Sequence, residues 1–277
     1  MLKASKNLIK DLKKQRHNSC LLFLDNIKII KDALKLGVEP KYILIQSDKA
    51  SELEPIFSKY QSVLYSTDRT SIEMLSDSKT PQGVVCITEY LLDVVVEPKT
   101  DFLVLDGLQD PGNVGSLIRT ACACGINYVY LVDSVNVTNS KLVRSSVGTI
   151  FQVKVMQLSR GDFVKFAKSN NLNLIKADMF GENIFNFKKS DKVGVVVGNE
   201  GQGVSKAISD ICQFSVSLPM KNNVESLNAS VSGSIIMYEI SKNNFWFIFL
   251  YFIFTSLCIY LTFTGLIIYN YIEFICF

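Results

Sequence analysis

Histidine is almost missing from this sequence: His17 is the only one in 277 residues. The only closely spaced cysteines are Cys122 and Cys124, and on a helix their side chains diverge by about 200°. That is poor zinc geometry, and no metal is expected. The seven cysteines are odd in number and follow no framework spacing. They read as small buried hydrophobes of a reducing compartment, not as a disulfide scaffold. Strong charge is also missing. A formal net charge of +3 neither demands nor excludes nucleic acid. The first sixteen residues are too charged for a signal peptide. No Gly-x-Gly-x-x-Gly follows any strand-like run, which argues against a dinucleotide site. The one compact glycine loop, Gly198-Asn-Glu-Gly-Gln-Gly203, is followed by Val204-Ser205, so it lacks the lysine of an ATP phosphate loop.

What is present centres on Asp106–Gly125, DGLQDPGNVGSLIRTACACG. The apolar run Phe102–Leu105 reads as a buried strand leading into it. Asp106-Gly107 and Asp110-Pro111-Gly112 are turn chemistry. A helical pattern begins near Asn113, and Gly125 sits where a glycine ends a helix. Arg119 falls on that helix, where it must reach a partner or a pocket edge. A second buried-strand run, Val193–Val197, ends in the 198–203 glycine loop. A third stretch, Leu218-Pro-Met-Lys-Asn-Asn-Val-Glu-Ser-Leu-Asn-Ala-Ser230, follows the strand-like Phe214–Ser217. Each places small and polar residues just beyond a strand, where open α/β sheets bind ligands.

NVGSLIRTACACG, VVVGNEGQGVS and LPMKNNVESLNASVS resemble the three motifs of the SpoU (TrmH-type) RNA ribose 2′-O-methyltransferases, within the SPOUT superfamily. TPQGVVCIT (Thr80–Thr88) resembles the segment that joins the small N-terminal domain of that family to its catalytic domain. The resemblance runs from about Leu8 to Lys242. It implies an L30e-like α/β RNA-binding domain over residues 1–80, a linker and first catalytic strand over 81–100, and a parallel-sheet methyltransferase domain with a trefoil knot over 101–242. Asp25-Asn26 stands where family members often carry Glu-Gly.

The strand–helix alternation itself supports an α-covered parallel sheet. It runs through Val84–Thr88, Phe102–Leu105, Tyr128–Val132, Val153–Met156, Leu172–Lys176, Val193–Val197 and Phe214–Ser217. Before it, strands are expected at Cys20–Leu24, Tyr42–Ile45 and Val63–Leu64, and helices at Leu8–Lys14, Asn26–Leu36, Ser51–Tyr60 and Ser71–Leu75. Phe245–Tyr269 carries no charge, and residues 243–277 hold 13 of the 30 aromatic residues. At ~1.5 Å per residue such a stretch spans a bilayer with tilt. It reads as a membrane anchor, a peripheral apolar hairpin, or translation beyond the natural end. With Lys242 before it, an anchor would leave the rest of the chain in the cytoplasm.

Taken from the family, the polar active-site set is Asn113, Arg119, Glu200, Ser226 and Asn228. The positions that cup S-adenosylmethionine are Gly198, Gly201, Gly203, Leu218, Met220 and Leu227. Each polar residue also has a plain structural reading: Asn113 a helix cap, Glu200 a turn acid, Ser226 an N-cap, Asn228 a satisfied loop amide. Arg119 is too basic to be a comfortable proton acceptor. Its better role is to bind the target phosphate and stabilise a developing alkoxide. Glu200 would hold Arg119 or Asn113 in place. RNA contact is expected from Lys10, Lys13, Lys14 and Arg16 at the basic start of the chain, and from Arg144 and Ser146 in RSSVG. The implied partners are ribosomal RNA first, transfer RNA second, and a second copy of the chain. The rival reading is a catalytically degenerate RNA-binding or ribosome assembly factor.

Overall fold

The computed structural model describes residues 1–242 apart from 17–19, 91, 190 and 223. His17 and the apolar tail 243–277 lie outside the described residues. Among the described residues, no helix is long and apolar enough to cross a membrane. The chain divides into two compact units, Met1–Met237 and Tyr238–Phe277. Of the second, only residues 238–242 are described, and they are helical.

Two sheets form the first unit. One holds β1 (Leu2–Lys3), β2 (Leu21–Leu24), β3 (Pro40–Gln46), β4 (Leu64–Thr67) and β5 (Val84–Glu89), in the order β1-β4-β3-β5-β2. β1, β4 and β3 run parallel, and β5 is antiparallel to both of its neighbours. Helix α1 (Lys6–Gln15) starts at Ser5, whose hydroxyl accepts from the Leu8 amide at 3.1 Å. It buries Ile9 and Leu12 with Leu44, Val85 and Ile87 and leaves Lys10, Lys13 and Lys14 exposed. Helix α2 (Ile27–Lys35) is capped by Asn26 and stops where Gly37 takes φ +86°, as a C-terminal glycine should.

The second sheet is wholly parallel. It holds β6 (Phe102–Asp106), β7 (Tyr128–Val132), β8 (Lys154–Leu158), β9 (Leu174–Asn183), β10 (Gly194–Gly198) and β11 (Phe214–Ser217), in the order β11-β9-β10-β6-β7-β8. β6, β7 and β10 are buried at every residue, as strands covered on both faces must be. One side packs Phe102, Tyr130, Met156, Phe163 and Ile208 together. Phe102 meets Tyr130 edge-on at 5.7 Å, and the Tyr130 hydroxyl donates to the Val96 carbonyl at 2.6 Å. The covering helices are α5 (Pro111–Ala123), α6 (Ser140–Ser145), α7 (Arg160–Ser169), α8 (Lys206–Ser209) and α9 (residues 229–237 within the first unit); α3 (Ala50–Leu53) and α4 (Arg69–Leu75) belong to the first sheet.

Three expectations need correction. Val84–Thr88 was to open the catalytic sheet, but β5 is a central strand of the first one. A continuous apolar run fixes burial on two faces and says nothing about which sheet supplies the neighbours. Ser51–Tyr60 is not one helix: after α3, residues Glu54–Val63 form 3₁₀ turns broken at Phe57 and Tyr60. Glu54 itself stays helical, but Pro55 lacks the N–H that would continue α3, and the backbone leaves helical geometry at Phe57 and Tyr60. Cys20 is exposed, whereas Cys86 and Cys124 are buried as expected.

Asp25 ties the two sheets together. It is 5% exposed, and one of its oxygens accepts from Ser76 Oγ at 2.7 Å, from the amides of Asp77 and Ser78 at 3.0 and 3.1 Å, and from Arg144 at 3.3 Å. Asp25→Ala is expected to lower unfolding stability by about 2–3 kcal/mol, because buried donors lose their acceptor. Denaturant unfolding of the variant against wild type measures it.

Candidate active site

The loops that leave β6, β10 and β11 meet at the C-terminal edge of the parallel sheet. Asp110 caps α5, accepting from the Gly112 amide at 2.7 Å, and Pro111 fills the first turn, where its missing N–H costs nothing. Hydrogen bonds from Lys141 and the Gly112 amide hold the Asp110 carboxyl below its usual range. This places Asn113 in the first turn of α5. Its side-chain amide donates to Glu200, and its carbonyl oxygen accepts from Asn228 Nδ2 at 3.1 Å. Asn228 in turn accepts from the Ser230 amide at 2.9 Å and caps the first turn of α9. Glu200, Asn113 and Asn228 therefore form one chain of amides and a carboxylate, built from three loops up to 115 residues apart.

A closed turn carries Glu200. Asn199 and Gly203 exchange both backbone hydrogen bonds, at 3.0 and 2.8 Å. The Asn199 side chain accepts from the Gly201 amide at 2.9 Å and donates to the Gly107 carbonyl at 3.0 Å. Gly203 takes φ +67°. A Cβ on Gly198 would lie 2.2 Å from the Gly203 carbonyl carbon. Glycine at 198 is thus demanded by the turn's own backbone.

Beneath this turn lies a pair that the sequence reading missed. Asp106, 1% exposed, accepts from Arg160 Nε at 2.8 Å and from the Ser205 amide at 2.6 Å. It fixes the end of β6 against the chain leaving the glycine loop. Nothing local announces this, because its partners lie 54 and 99 residues away. The turn-like Asp106-Gly107 pair was the available hint.

Other expected residues fall differently. Arg119 is exposed, with no hydrogen bond or ion pair among the described residues. Six residues beyond Asn113 it is turned by about 240° and advanced by ~9 Å, so it stands on another face of α5. Ser226 and Leu227 are exposed, while Leu218 and Met220 are half-buried. Asn228, not Ser226, takes the capping position. Ser146 is fully buried and donates to the Val143 carbonyl at 2.8 Å, so its side chain is not an RNA contact in this conformation. Arg16 is spent on Asp77 and on the Met74 carbonyl, and Arg144 on Asp25.

A parallel α/β sheet whose strand-end loops converge on a polar cluster defines a protein with a ligand or reaction site at that edge. Comparison with known proteins makes this specific. Residues 101–238 match the SpoU rRNA Methylase family. A Staphylococcus saprophyticus protein assigned to the TrmH family of tRNA/rRNA methyltransferases is 31% identical over 232 residues, which cover 77% of this chain and 92% of that protein. The 23S rRNA (guanosine(2553)-2′-O)-methyltransferase RlmP of Bacillus subtilis is 28% identical, over 82% of this chain and 91% of the relative. Among solved structures, the SpoU methyltransferase AviRb of Streptomyces viridochromogenes, in complex with AdoMet, superposes with a TM-score of 0.77 at 21% identity, over 87% of this chain and 99% of that one. The chain belongs to the SpoU (TrmH-type) RNA methyltransferase family.

Proposed function

We propose that this protein transfers a methyl group from S-adenosylmethionine to the 2′-hydroxyl of a ribose in RNA, with 23S-type ribosomal RNA as the first substrate. The observation that carries the reading is the Glu200–Asn113–Asn228 chain. A degenerate RNA-binding protein would have no reason to keep three distant loops joined through these side chains. The 23S rRNA activity of the Bacillus relative favours ribosomal RNA.

The residues present suit the cofactor. Between Leu218 and Leu227, the only backbone–backbone hydrogen bond among the described residues runs from the Val224 amide to the Lys221 carbonyl. The Leu227 carbonyl accepts from Ser232 Oγ at 3.4 Å, and the other described backbone groups of this loop, bonded to no other backbone group, can meet an adenosine, with Leu218, Met220 and Leu227 offering apolar contact. Gly201 and Gly203 shape the neighbouring turn. When bound, S-adenosylmethionine supplies an electrophilic sulfonium methyl. Glu200 holds the Asn113 amide in one orientation, and in this reading Asn113, Asn228 and Ser226 orient the ribose. Arg119 binds the target phosphate and stabilises the negative charge on the 2′-oxygen as its proton passes to a nearby phosphate or water and methyl transfer leaves the sulfonium sulfur as a thioether.

Arg119 and Asn113 lie on different faces of α5, so a shared reaction centre calls for a second copy that brings its own Arg119. A homodimer is therefore part of the proposal. The exposed Val231 and Ile235, one turn apart on α9, offer contact area. The proposal also takes the first sheet as an L30e-like RNA-binding domain and the C-terminal region as a trefoil knot, in a cytoplasmic enzyme. The return of the chain from edge strand β11 to the middle of the sheet supports the knot: a Cβ on Gly233 would lie within 3 Å of both Leu117 and Val197.

Incubating the full chain with methyl-labelled S-adenosylmethionine and separate pools of unmodified ribosomal and transfer RNA tests the reading. Label in the ribosomal pool is expected. Label only in transfer RNA would move the substrate, and cofactor binding without label in either pool would remove the activity.

A further inference from the structure

An open groove of about 630 Å³ lies between α2 of the first sheet and the turn that follows α6 of the second. Lys28, Lys31 and Lys35 line it. At spacings of three and seven residues they project within about 60° of one another. All three are exposed, and none has an ion pair or hydrogen bond among the described residues. Asp32 is the only acid in the lining, and Arg144 contributes from the opposite wall. This charge was not legible as a patch in the sequence, because the lysines alternate with the apolar residues of α2.

The opposite wall is held in an unusual conformation. Val147, which lines the groove, has φ +52°, and Gly148 follows at +84°. A β-branched residue in the left-handed region is an outlier, and such conformations persist where the surroundings enforce them, often at ligand sites. The turn lies beside α2: a Cβ on Gly148 would sit in ordinary van der Waals contact with Ile29 Cγ2, at 3.7 Å. The same wall leads to the reaction centre. α6 ion-pairs with the cap of α5 through Lys141 and Asp110 at 2.8 Å. It also packs so closely that a Cβ on Gly115 would meet the Leu142 carbonyl at 2.5 Å. Asn113 stands two residues before that contact.

We propose that this groove is a track for the phosphate backbone of the substrate RNA, with Lys28, Lys31 and Lys35 neutralising successive phosphates as the strand runs along α6 towards Asn113. The proposal rests on the RNA methyltransferase reading above. Its walls come from both sheets, so a strand held here is set in register with the catalytic loops. Recognition is of backbone charge and not of base sequence.

The test compares full-length wild type with Lys28→Ala/Lys31→Ala/Lys35→Ala and with a charge-matched control, Lys59→Ala/Lys165→Ala/Lys168→Ala, drawn from exposed lysines elsewhere. Binding to an unmodified 23S ribosomal RNA transcript is measured across a salt series, and S-adenosylmethionine affinity is measured in parallel. Loss of three phosphate contacts should weaken RNA binding at least tenfold at low salt and flatten the slope of log K against log salt by about 2. KM for RNA should rise while kcat at saturating RNA and cofactor affinity hold. Equal losses in the groove variant and the control, or an unchanged slope in the groove variant, would overturn the track. Wild type that binds cofactor but neither binds nor methylates RNA would overturn the underlying function as well, which keeps the two failures apart.

Discussion

Arg119→Ala abolishes methyl transfer while S-adenosylmethionine still binds: this is the largest catalytic effect expected. Arg119 is exposed on α5, carries no partner among the described residues, and therefore performs no structural service in the chain. Removing it should leave folding untouched, since exposed positions without such partners tolerate truncation within about 0.5 kcal/mol. An arginine offers five fixed donors to a phosphate or to a developing oxyanion. Loss of one such stabilising group typically costs 10²–10³ in kcat, and loss of the phosphate anchor adds to it. Single-turnover methylation at saturating cofactor measures the first part, and calorimetric cofactor binding the second. Unchanged turnover would remove Arg119 from the reaction. Lost cofactor binding would move it to the cofactor loops instead.

Gly198→Val should have the largest structural effect at the site. The added Cβ would fall 2.2 Å from the Gly203 carbonyl carbon and 2.3 Å from the Val204 nitrogen, both backbone atoms of the turn that carries Glu200. Backbone cannot swing aside as a side-chain tip can, so the turn must open. Opening it breaks the Asn199–Gly203 exchange and displaces Glu200 from Asn113. Overpacking of this kind costs about 2–3 kcal/mol, roughly 5–10 °C in Tm for a domain of this size. Cofactor affinity should fall with it. A variant with wild-type Tm and wild-type cofactor affinity would show that the turn plays neither part.

The comparison of sequence with structure follows a physical divide. Features encoded locally were legible: the strand before Asp106, the turn at Asp110-Pro111, and the helix ending at Gly125, which indeed takes φ +75°. The three loops at strand ends were legible too, because a parallel sheet puts all of them on one edge. Glu200, expected to reach Arg119 or Asn113, accepts from the Asn113 side-chain amide. What stayed hidden depends on long-range pairing. Asp106 with Arg160, Asp25 with Arg144, and β5 with its neighbours each join segments tens of residues apart. Ser146 looked like a surface polar residue and is buried because its hydroxyl finds the Val143 carbonyl within its own helix turn. β9 runs to Asn183, well beyond the expected Lys176, because Gly181 lets the Ser215–Val216 backbone of β11 approach where a Cβ would lie 2.5 Å away.

The central claim is that the methyl group goes to a ribose oxygen. The direct measurement is alkaline hydrolysis of RNA labelled by the full chain and methyl-labelled S-adenosylmethionine. Alkali cuts the RNA chain through the free 2′-hydroxyl, so a 2′-O-methylated nucleotide survives joined to its neighbour. The account predicts that label appears in a single alkali-resistant dinucleotide from ribosomal RNA. Label recovered only in mononucleotides would place the methyl group on a base and contradict it.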